Sequence, residues 1–296
     1  MHIPVLLHES VDALAIKSGA IILDGTLGGG GHTAEMVRRF GSGIKVIGVD
    51  LDKDAFARAE AKLAEMPHDT VFRESSFQTA DEVLDELNIT HVDGVLLDLG
   101  ISSFQLEVAG RGFSFMRDEP LLMTMKKNPG DADLTALDVV NTWKEETLAD
   151  IIYGFGEERY SRRIAKAIVT AREVKKIETT KELTDIVTGA VGKQYSHMKI
   201  NPATKTFQAI RIAVNGELTG IEQGIEVLFN RLSVGGRMAI ISFHSLEDRI
   251  VKQAFKKLVE EERAVAITKK PLIPSEEEIK NNPRSRSSKL RVIEKI

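Results

Sequence analysis

The residues of this chain that could do chemistry gather at a few short stretches. The segment "ILDGTLGGGGHTAEMV" (residues 22–37) starts apolar, reaches Asp24, runs through four consecutive glycines to His32 and then takes a helical pattern. A glycine run lets bare backbone approach a bound molecule, and the helix that follows turns its free N–H groups and positive end toward it. Asp50 closes "KVIGVD", Phe77 follows "TVFRE", and Asp98 lies in "LLDLGISSFQ". An acid ending a second strand about 20 residues beyond a glycine turn suits hydrogen bonding to a ribose diol, so an adenosine is the expected ligand core.

Charge separates the adenosine ligands. The frame Gly29, Gly31, Ala34 satisfies G-x-G-x-x-A, the pattern of an NAD-binding turn. A dinucleotide, however, would set a doubly charged pyrophosphate against Asp24 and near Asp98, which repel it. S-adenosylmethionine has no phosphate and carries a sulfonium and an ammonium, which strand-end acids attract. Buried acids at strand ends also serve as caps, so an NAD-dependent oxidoreductase stays open as the alternative.

Holding these residues together requires a sheet. Short β-branched runs recur with helices between them: "AIILD", "KVIGVD", "TVFRE", "VDGVLLD", "RMAIISF", "AVAIT" and "KLRVIEK". A helix is expected from Thr33 to Phe40, a second in "DAFARAEAKLAEM" and a third in "FQTADEVLDEL". This alternation predicts an α/β fold with a parallel, doubly wound sheet and ligands at the carboxyl ends of its strands. From Gln105 to Asn215 the alternation breaks, and helices replace strands. Thr179 and Glu182 have capping-box spacing. Asn201 is a candidate N-cap, with Pro202 in the first turn, of one long helix whose apolar residues run from Phe207 to Ile225. The expected domains are a sheet domain, first part over 1–104, an inserted helical substrate domain over 105–215, and the second part of the sheet domain over 216–296.

Composition bounds the function. With 296 residues and 42% hydrophobic side chains, the chain can form one large domain with an insertion. It has no cysteine, which removes disulfides, thiolate metal sites and cysteine nucleophiles; no His partners sit at metal-binding spacing around His244, and no metal is assigned. No basic start with a long apolar core and no membrane-length apolar run is present, which predicts a cytoplasmic protein. The formal net charge of -4 gives no global attraction to nucleic acid, so any such binding must come from local clusters. Two exist. Arg159, Arg162, Arg163, Lys166, Arg172, Lys175 and Lys176 face one acid, Glu173, and Arg284, Arg286, Lys289, Arg291 and Lys295 face Glu294. Either could track phosphates or be a solvated face.

The stretches "VLLHESVDAL", "DGTLGGGGHT", "GVDLD", "LLDLGISSFQ", "RGFSF", "GEERYSRRIAKAI", "PATKTFQAIRIAVNGEL" and "ISFHSLEDRIVK" together resemble the bacterial MraW/RsmH family over nearly the whole chain. The resemblance implies a class I, Rossmann-like, seven-stranded methyltransferase sheet with an inserted α-helical domain. The implied reaction moves a methyl group from S-adenosylmethionine to the N4 amine of a cytosine in the decoding region of 16S rRNA, with the small ribosomal subunit as partner. A homodimer stays open, as does a non-catalytic RNA-binding relative that keeps the cofactor pocket. By matching motif, Gly30, Gly31 and His32 line the cofactor, Asp50 holds the ribose, Phe77 packs near the adenine, and Asp98 and Gln105 complete the pocket, with Asp24 adding charge. Asp98 and the Leu99 carbonyl are the candidate acceptors for the target amine. Ser242, His244, Asp248, Arg249 and Asn201 are candidate substrate-side groups, and Arg162 and Arg163 candidate phosphate contacts.

One segment departs from that family's pattern. The family continues RGFSF with a segment close to "GPLDMRMD", whereas this chain reads "EPLLMTMKK". Leu122, Thr124 and Lys126 stand in place of an acid, an arginine and an acid, Glu119 replaces glycine, and Asn201 stands where histidine is common. The loop changes remove two acids and an arginine near the expected mouth of the active site, whereas Asn201 can still cap its helix.

Overall fold

The computed structural model describes residues 3–100, 110–126, 129–195 and 201–296. Seven strands form one sheet: β1 (Ile21–Asp24), β2 (Lys45–Asp50), β3 (Asp69–Glu74), β4 (Val92–Asp98), β5 (Leu232–Ser242), β6 (Ala264–Ala266) and β7 (Lys289–Lys295), in the order β3-β2-β1-β4-β5-β7-β6. Neighbours from β3 through β5 are parallel, but β7 runs antiparallel to both β5 and β6. The expectation of a parallel sheet is corrected there. β7 inserts between β5 and β6 from the opposite direction, which places its first residue, Lys289, opposite Ser242 at the carboxyl end of β5. This is the class I methyltransferase sheet.

Alternation along the strands assigns the two faces. Leu23, Val95, Leu97, Met238 and Ile240 join a core with α4 (Ala80–Glu86), α10 (Glu217–Asn230) and α11 (Ser245–Glu260), through Leu84, Ile225, Val251 and Phe255. Ile22, Leu96, Ala239 and Ile241 join the opposite core with α1 (Leu7–Ala13) and α2 (Gly31–Phe40), through Val11, Met36 and Val37. Strands covered on both sides are therefore near-continuously apolar, and their polar ends are where chemistry is left.

The chain divides into two compact units, one of residues up to Gly100 and from Leu218, the other from Ile101 to Glu217. The second unit is helical among its described residues. Its core joins α5 (Ala136–Thr142), α6 (Glu145–Gly154), α7 (Ser161–Val174), α8 (Thr180–Val191) and α9 (Ala203–Asn215) through Val139, Leu148, Ile164, Leu183 and Ile210. The Thr179–Glu182 capping box starts α8 as expected. Asn201 does accept a hydrogen bond from the Ala203 N–H, 2.8 Å, at the start of α9. The single long helix is two, however: Gly216 takes a left-handed φ of 59° and ends α9 before α10 begins. Apolar spacing continues across the break, which is why periodicity alone reads one helix.

Candidate active site

The strand ends of the sheet unit bring four predicted residues to one edge. β1 delivers Asp24, β2 Asp50, β4 Asp98 and β5 Ser242. The sheet order reverses between β1 and β4, and ligands of doubly wound sheets bind outside the carboxyl ends at such a point.

The turn between β1 and α2 is built largely for its own packing. Gly30 has φ 67°, and a Cβ there would lie 2.6 Å from the Ala59 Cβ of α3 (Asp54–Leu63). A Cβ on Gly31 would lie 2.2 Å from the Pro4 Cγ. Both glycines thus let other parts of this chain come close, in addition to any ligand. No side chain caps the start of α2. His32 is buried, with Nε2 3.1 Å from the Val5 carbonyl and Nδ1 3.9 Å from Asp98 Oδ2.

Asp24 is 2% exposed and ties this turn together: it accepts from the Thr33 hydroxyl at 2.7 Å and the Thr26 N–H at 3.3 Å. Burial pushes its pKa up to about 6 against the pull of those hydrogen bonds, and Asp50 adds repulsion. Asp50 accepts from the Gly28 N–H at 2.7 Å and the Asp52 N–H at 2.8 Å, so it fixes the glycine turn to β2. Burial raises its pKa while the two N–H donors pull it down. A carboxylate offers about four lone-pair sites, so acceptor capacity remains for a diol.

Asp98 is different. Its N–H donates to the Thr26 hydroxyl at 2.6 Å, which fixes the backbone, while its Oδ1 is sealed from solvent and has no hydrogen-bond partner. Although 24% of the side chain is exposed, the carboxyl is deep enough that burial pushes its pKa up to about 8, with Asp24 and Glu247 adding to the shift. A buried unpaired oxygen among three acids is costly unless a positive ligand group completes it. A sulfonium or ammonium fits that need, and a pyrophosphate does not.

Phe77 begins a short turn, Phe77–Thr79, held by the Ser76 hydroxyl accepting from the Gln78 N–H at 3.2 Å. Its ring rests on α10: a Cβ on Gly224 would lie 2.6 Å from ring atoms of Phe77, and one on Gly25 would lie 3.1 Å from the Phe77 Cβ. The residue is only half-buried, leaving ring surface for a planar ligand.

The substrate-side candidates divide. Ser242 is buried, 3.5 Å from the Lys289 carbonyl. His244 caps α11, its Nδ1 accepting from the Glu247 N–H at 3.4 Å and its Nε2 lying 3.1 Å from Glu247 Oε1. Asp248 pairs with Arg291 at 2.7 Å and Lys289 at 2.9 Å; burial works to raise its pKa, but those two cations outweigh it and hold it below the usual carboxylate range. Ser242 and Asp248 are thus engaged within the protein, whereas the buried Nε2 of His244 makes no hydrogen bond among the described residues. Arg249 is exposed on α11. In the helical unit Arg162 and Arg163 are exposed on α7, and Asn201 starts α9. Gln105 lies outside the described residues. No group of His, Asp and Glu suited to a metal occurs among the described residues, and none of their helices is long and apolar enough to cross a membrane.

Sequence reasoning missed Thr26, Thr33 and Glu247. The signal for Glu247 was present: "HSLE" has capping-box spacing with histidine in the place of Ser or Thr. The departing segment, expected at the mouth of the active site, is engaged within its own unit. Thr124 is 5% exposed, Leu121 and Met123 lie in the helical unit's core, and Lys126 pairs with Asp133 at 2.5 Å. Glu119 accepts from the Gly112 N–H at 2.9 Å. Its residues serve the packing of their own unit.

Comparison with known proteins agrees with this geometry. The model of the MraW methylase family matches residues 1–296. Ribosomal RNA small subunit methyltransferase H of Clostridioides difficile (strain 630) is 45% identical over 310 residues, covering 100% of this chain and 99% of that protein. The protein of the same name from Sulfurihydrogenibium sp. (strain YO3AOP1) is 47% identical over 295 residues, with the same coverage. Among solved structures, an rRNA methylase from Streptococcus thermophilus aligns with 100% of this chain and 99% of its own at 13% identity and a TM-score of 0.46. The whole-chain match decides against an NAD-dependent oxidoreductase, and the methyl donor is S-adenosylmethionine. With its sheet, its acid-lined strand ends and its full-length match, this chain belongs to the MraW methylase family.

Proposed function

We propose that this protein methylates small-subunit ribosomal RNA, at the N4 amine of a cytosine in the decoding region. The observation that carries the reading is Asp98: a buried oxygen without a partner, beside Asp24 and Glu247, at the end of the strand where the sheet order reverses. The names of the full-length relatives supply the RNA class. Bound S-adenosylmethionine supplies an electrophilic methyl group on a sulfonium.

The protein's share is position. Asp50 holds the ribose diol while keeping the glycine turn on β2. The Phe77 ring, seated against α10 at Gly224, covers the adenine. Asp98 complements positive charge. The amine of cytosine shares its lone pair with the ring and is a weak nucleophile, so acceptors must hold its protons and aim it. The Asp98 carboxylate and the Leu99 carbonyl follow the fourth strand, where such acceptors are placed, and orientation of this kind is worth on the order of 7–11 kcal/mol. Arg162 and Arg163 on α7 bind RNA phosphates.

The test is transfer of labelled methyl from S-adenosylmethionine into small subunits lacking the modification, followed by nucleoside analysis. N4-methylcytidine as the product supports the reading. Label in another nucleoside overturns the target, and RNA binding without transfer would identify a non-catalytic relative.

A further inference from the structure

The second basic cluster, near the C-terminus, has a construction of its own. The segment Pro283–Ser287 is a 3-10 helix, in which residues three apart share a face. Asn282, Ser285 and Ser288 form that face and are all buried. The Ser285 hydroxyl donates to the Asn282 carbonyl at 2.8 Å and the Ser288 hydroxyl to the Ser285 carbonyl at 2.7 Å. Each of those carbonyls also receives the N–H of the same serine, at 2.9 and 2.8 Å. With one face locked inward, Arg284, Arg286 and Ser287 are left exposed, and Lys289 follows half-buried at the start of β7.

The turn is also fixed to the cofactor side of the sheet unit. The Asn282 amide donates to the Ile3 carbonyl at 3.0 Å, and Glu278 accepts from the Leu6 N–H at 2.8 Å. Between those residues, Pro4 fills the space over Gly31 and the Val5 carbonyl faces His32. A short strap, residues 3–6, therefore ties the basic turn to the glycine turn. The register sets the distance from the chemistry: Lys289 pairs with Ser242, and Asp98 with Ile241, one strand further. Two strand spacings put Lys289 about 10 Å from the end of β4.

We infer that this turn, through Arg284, Arg286 and Lys289, is a phosphate-binding surface for the rRNA substrate, on the sheet unit itself and beside the reactive strand ends. The inference rests on the rRNA-methylating reading above and adds a second contact to that of α7. A chain of net charge -4 needs local surfaces of this kind. Residues 279–293 contain no acid. The acids that precede them, Glu276, Glu277 and Glu278, occupy the first turn of α12 (Glu276–Asn281), at its opposite end. Asp248 is shared by Lys289 and Arg291, which leaves one positive charge in excess there. Phosphate contacts fix register while the base is read elsewhere, and a turn held to the cofactor side is suited to setting the register of the target nucleotide.

The experiment measures affinity for a 16S rRNA transcript against salt, with wild-type protein and the pair Arg284→Gln with Arg286→Gln. Loss of two phosphate contacts should flatten the slope of log affinity against log salt by about 1.4 and weaken binding at least fivefold. The single variant Arg286→Gln should give about half that change in slope. S-adenosylmethionine affinity should stay at the wild-type value, and KM for RNA should rise without a fall in kcat. The charge-keeping pair Arg284→Lys with Arg286→Lys should retain the wild-type slope, which a purely structural role of the arginines would not give. Wild-type slope and affinity in both Gln variants overturn this inference alone. Wild-type protein that binds neither the transcript nor small subunits lacking the modification overturns it together with the rRNA reading.

Discussion

In the sheet unit the telling side chains are buried acids, whereas on α7 of the helical unit they are exposed bases. Asp24 and Asp98 have pKa values pushed up by burial, and both sit at strand ends. Arg162, Arg163 and Lys166 stand in solvent on a helix whose other face, through Ile164 and Ile168, fills a core. The contrast follows from the ligands. A small cation is recognised by desolvated carboxylates whose cost is met only on binding, and a polyanion by cations that need no burial. Substitutions of these buried acids should therefore act on cofactor and chemistry, and those of the exposed bases on RNA and salt.

The sharpest break of that contrast is Asp98→Asn, which keeps shape and removes charge. It should weaken S-adenosylmethionine by about 1.5–3 kcal/mol, roughly 10- to 150-fold, and lower turnover further. Its pH profile carries the sign. In the free protein Asp98 holds its proton up to about pH 8, and a cationic ligand needs it ionised. Cofactor affinity should therefore rise with pH, by about tenfold per unit between about pH 5.5 and 7.5, and flatten in Asp98→Asn. Stability of the cofactor-free protein runs the other way. A raised native pKa means the folded state holds protons that the unfolded state has released, so stability present below about pH 4 is lost as pH rises toward 8. Thermal melts over that range check it: Asp98→Asn should remove most of the slope between about pH 6 and 8, while Asp24, raised to about 6, keeps part of the slope below that. A cofactor affinity insensitive to pH would sink the assignment of Asp98 to the cation.

Asp50→Ala is next. It removes the ribose acceptor, for about 1.5–3 kcal/mol of cofactor affinity by calorimetry. It also frees the Gly28 and Asp52 N–H groups, so some thermal stability should go with it. An unchanged dissociation constant would mean that Asp50 only braces the turn.

The site was legible wherever strand ends announced it. Asp24, Asp50 and Asp98 each close an apolar run, and the sheet brings all three to one edge because parallel strands align their carboxyl ends. What escaped was whatever depends on two distant segments meeting. Gly31 reads as ligand wall, and its close approach to Pro4 went unread. His244 reads as a substrate group, and its cap with Glu247 went unread. The antiparallel β7 was hidden because strand direction leaves no trace in the mixed apolar and charged pattern of its seven residues.

On α7, replacing Arg162, Arg163 and Lys166 with Gln should lower RNA affinity and flatten its salt dependence by about 0.7 per lost contact, with cofactor affinity untouched. An unchanged salt slope would leave that helix a solvated face, and the contrast between the units would lose its second half.

The smallest effect is expected where the sequence departs furthest from its family. Lys126 is exposed and its pairing with Asp133 is a surface one, which holds the Asp133 carboxyl below its usual range through the Lys126 hydrogen bond. Surface pairs contribute little to stability and are screened by salt. Lys126→Asp should therefore leave the melting temperature and cofactor affinity near wild type. Thr124→Arg is not equivalent, although both replacements would move the segment toward the family's pattern. Thr124 is buried and its hydroxyl accepts from the Lys126 N–H at 3.3 Å, so an arginine there overfills the site, at about 1–3 kcal/mol of stability. If the segment serves packing alone, single-turnover methylation by Lys126→Asp equals that of the parent, and Thr124→Arg lowers the melting temperature before it alters chemistry. A faster methyl transfer in Lys126→Asp, at unchanged melting temperature, would return the segment to the active site and show that the helical unit contributes more than phosphate contacts.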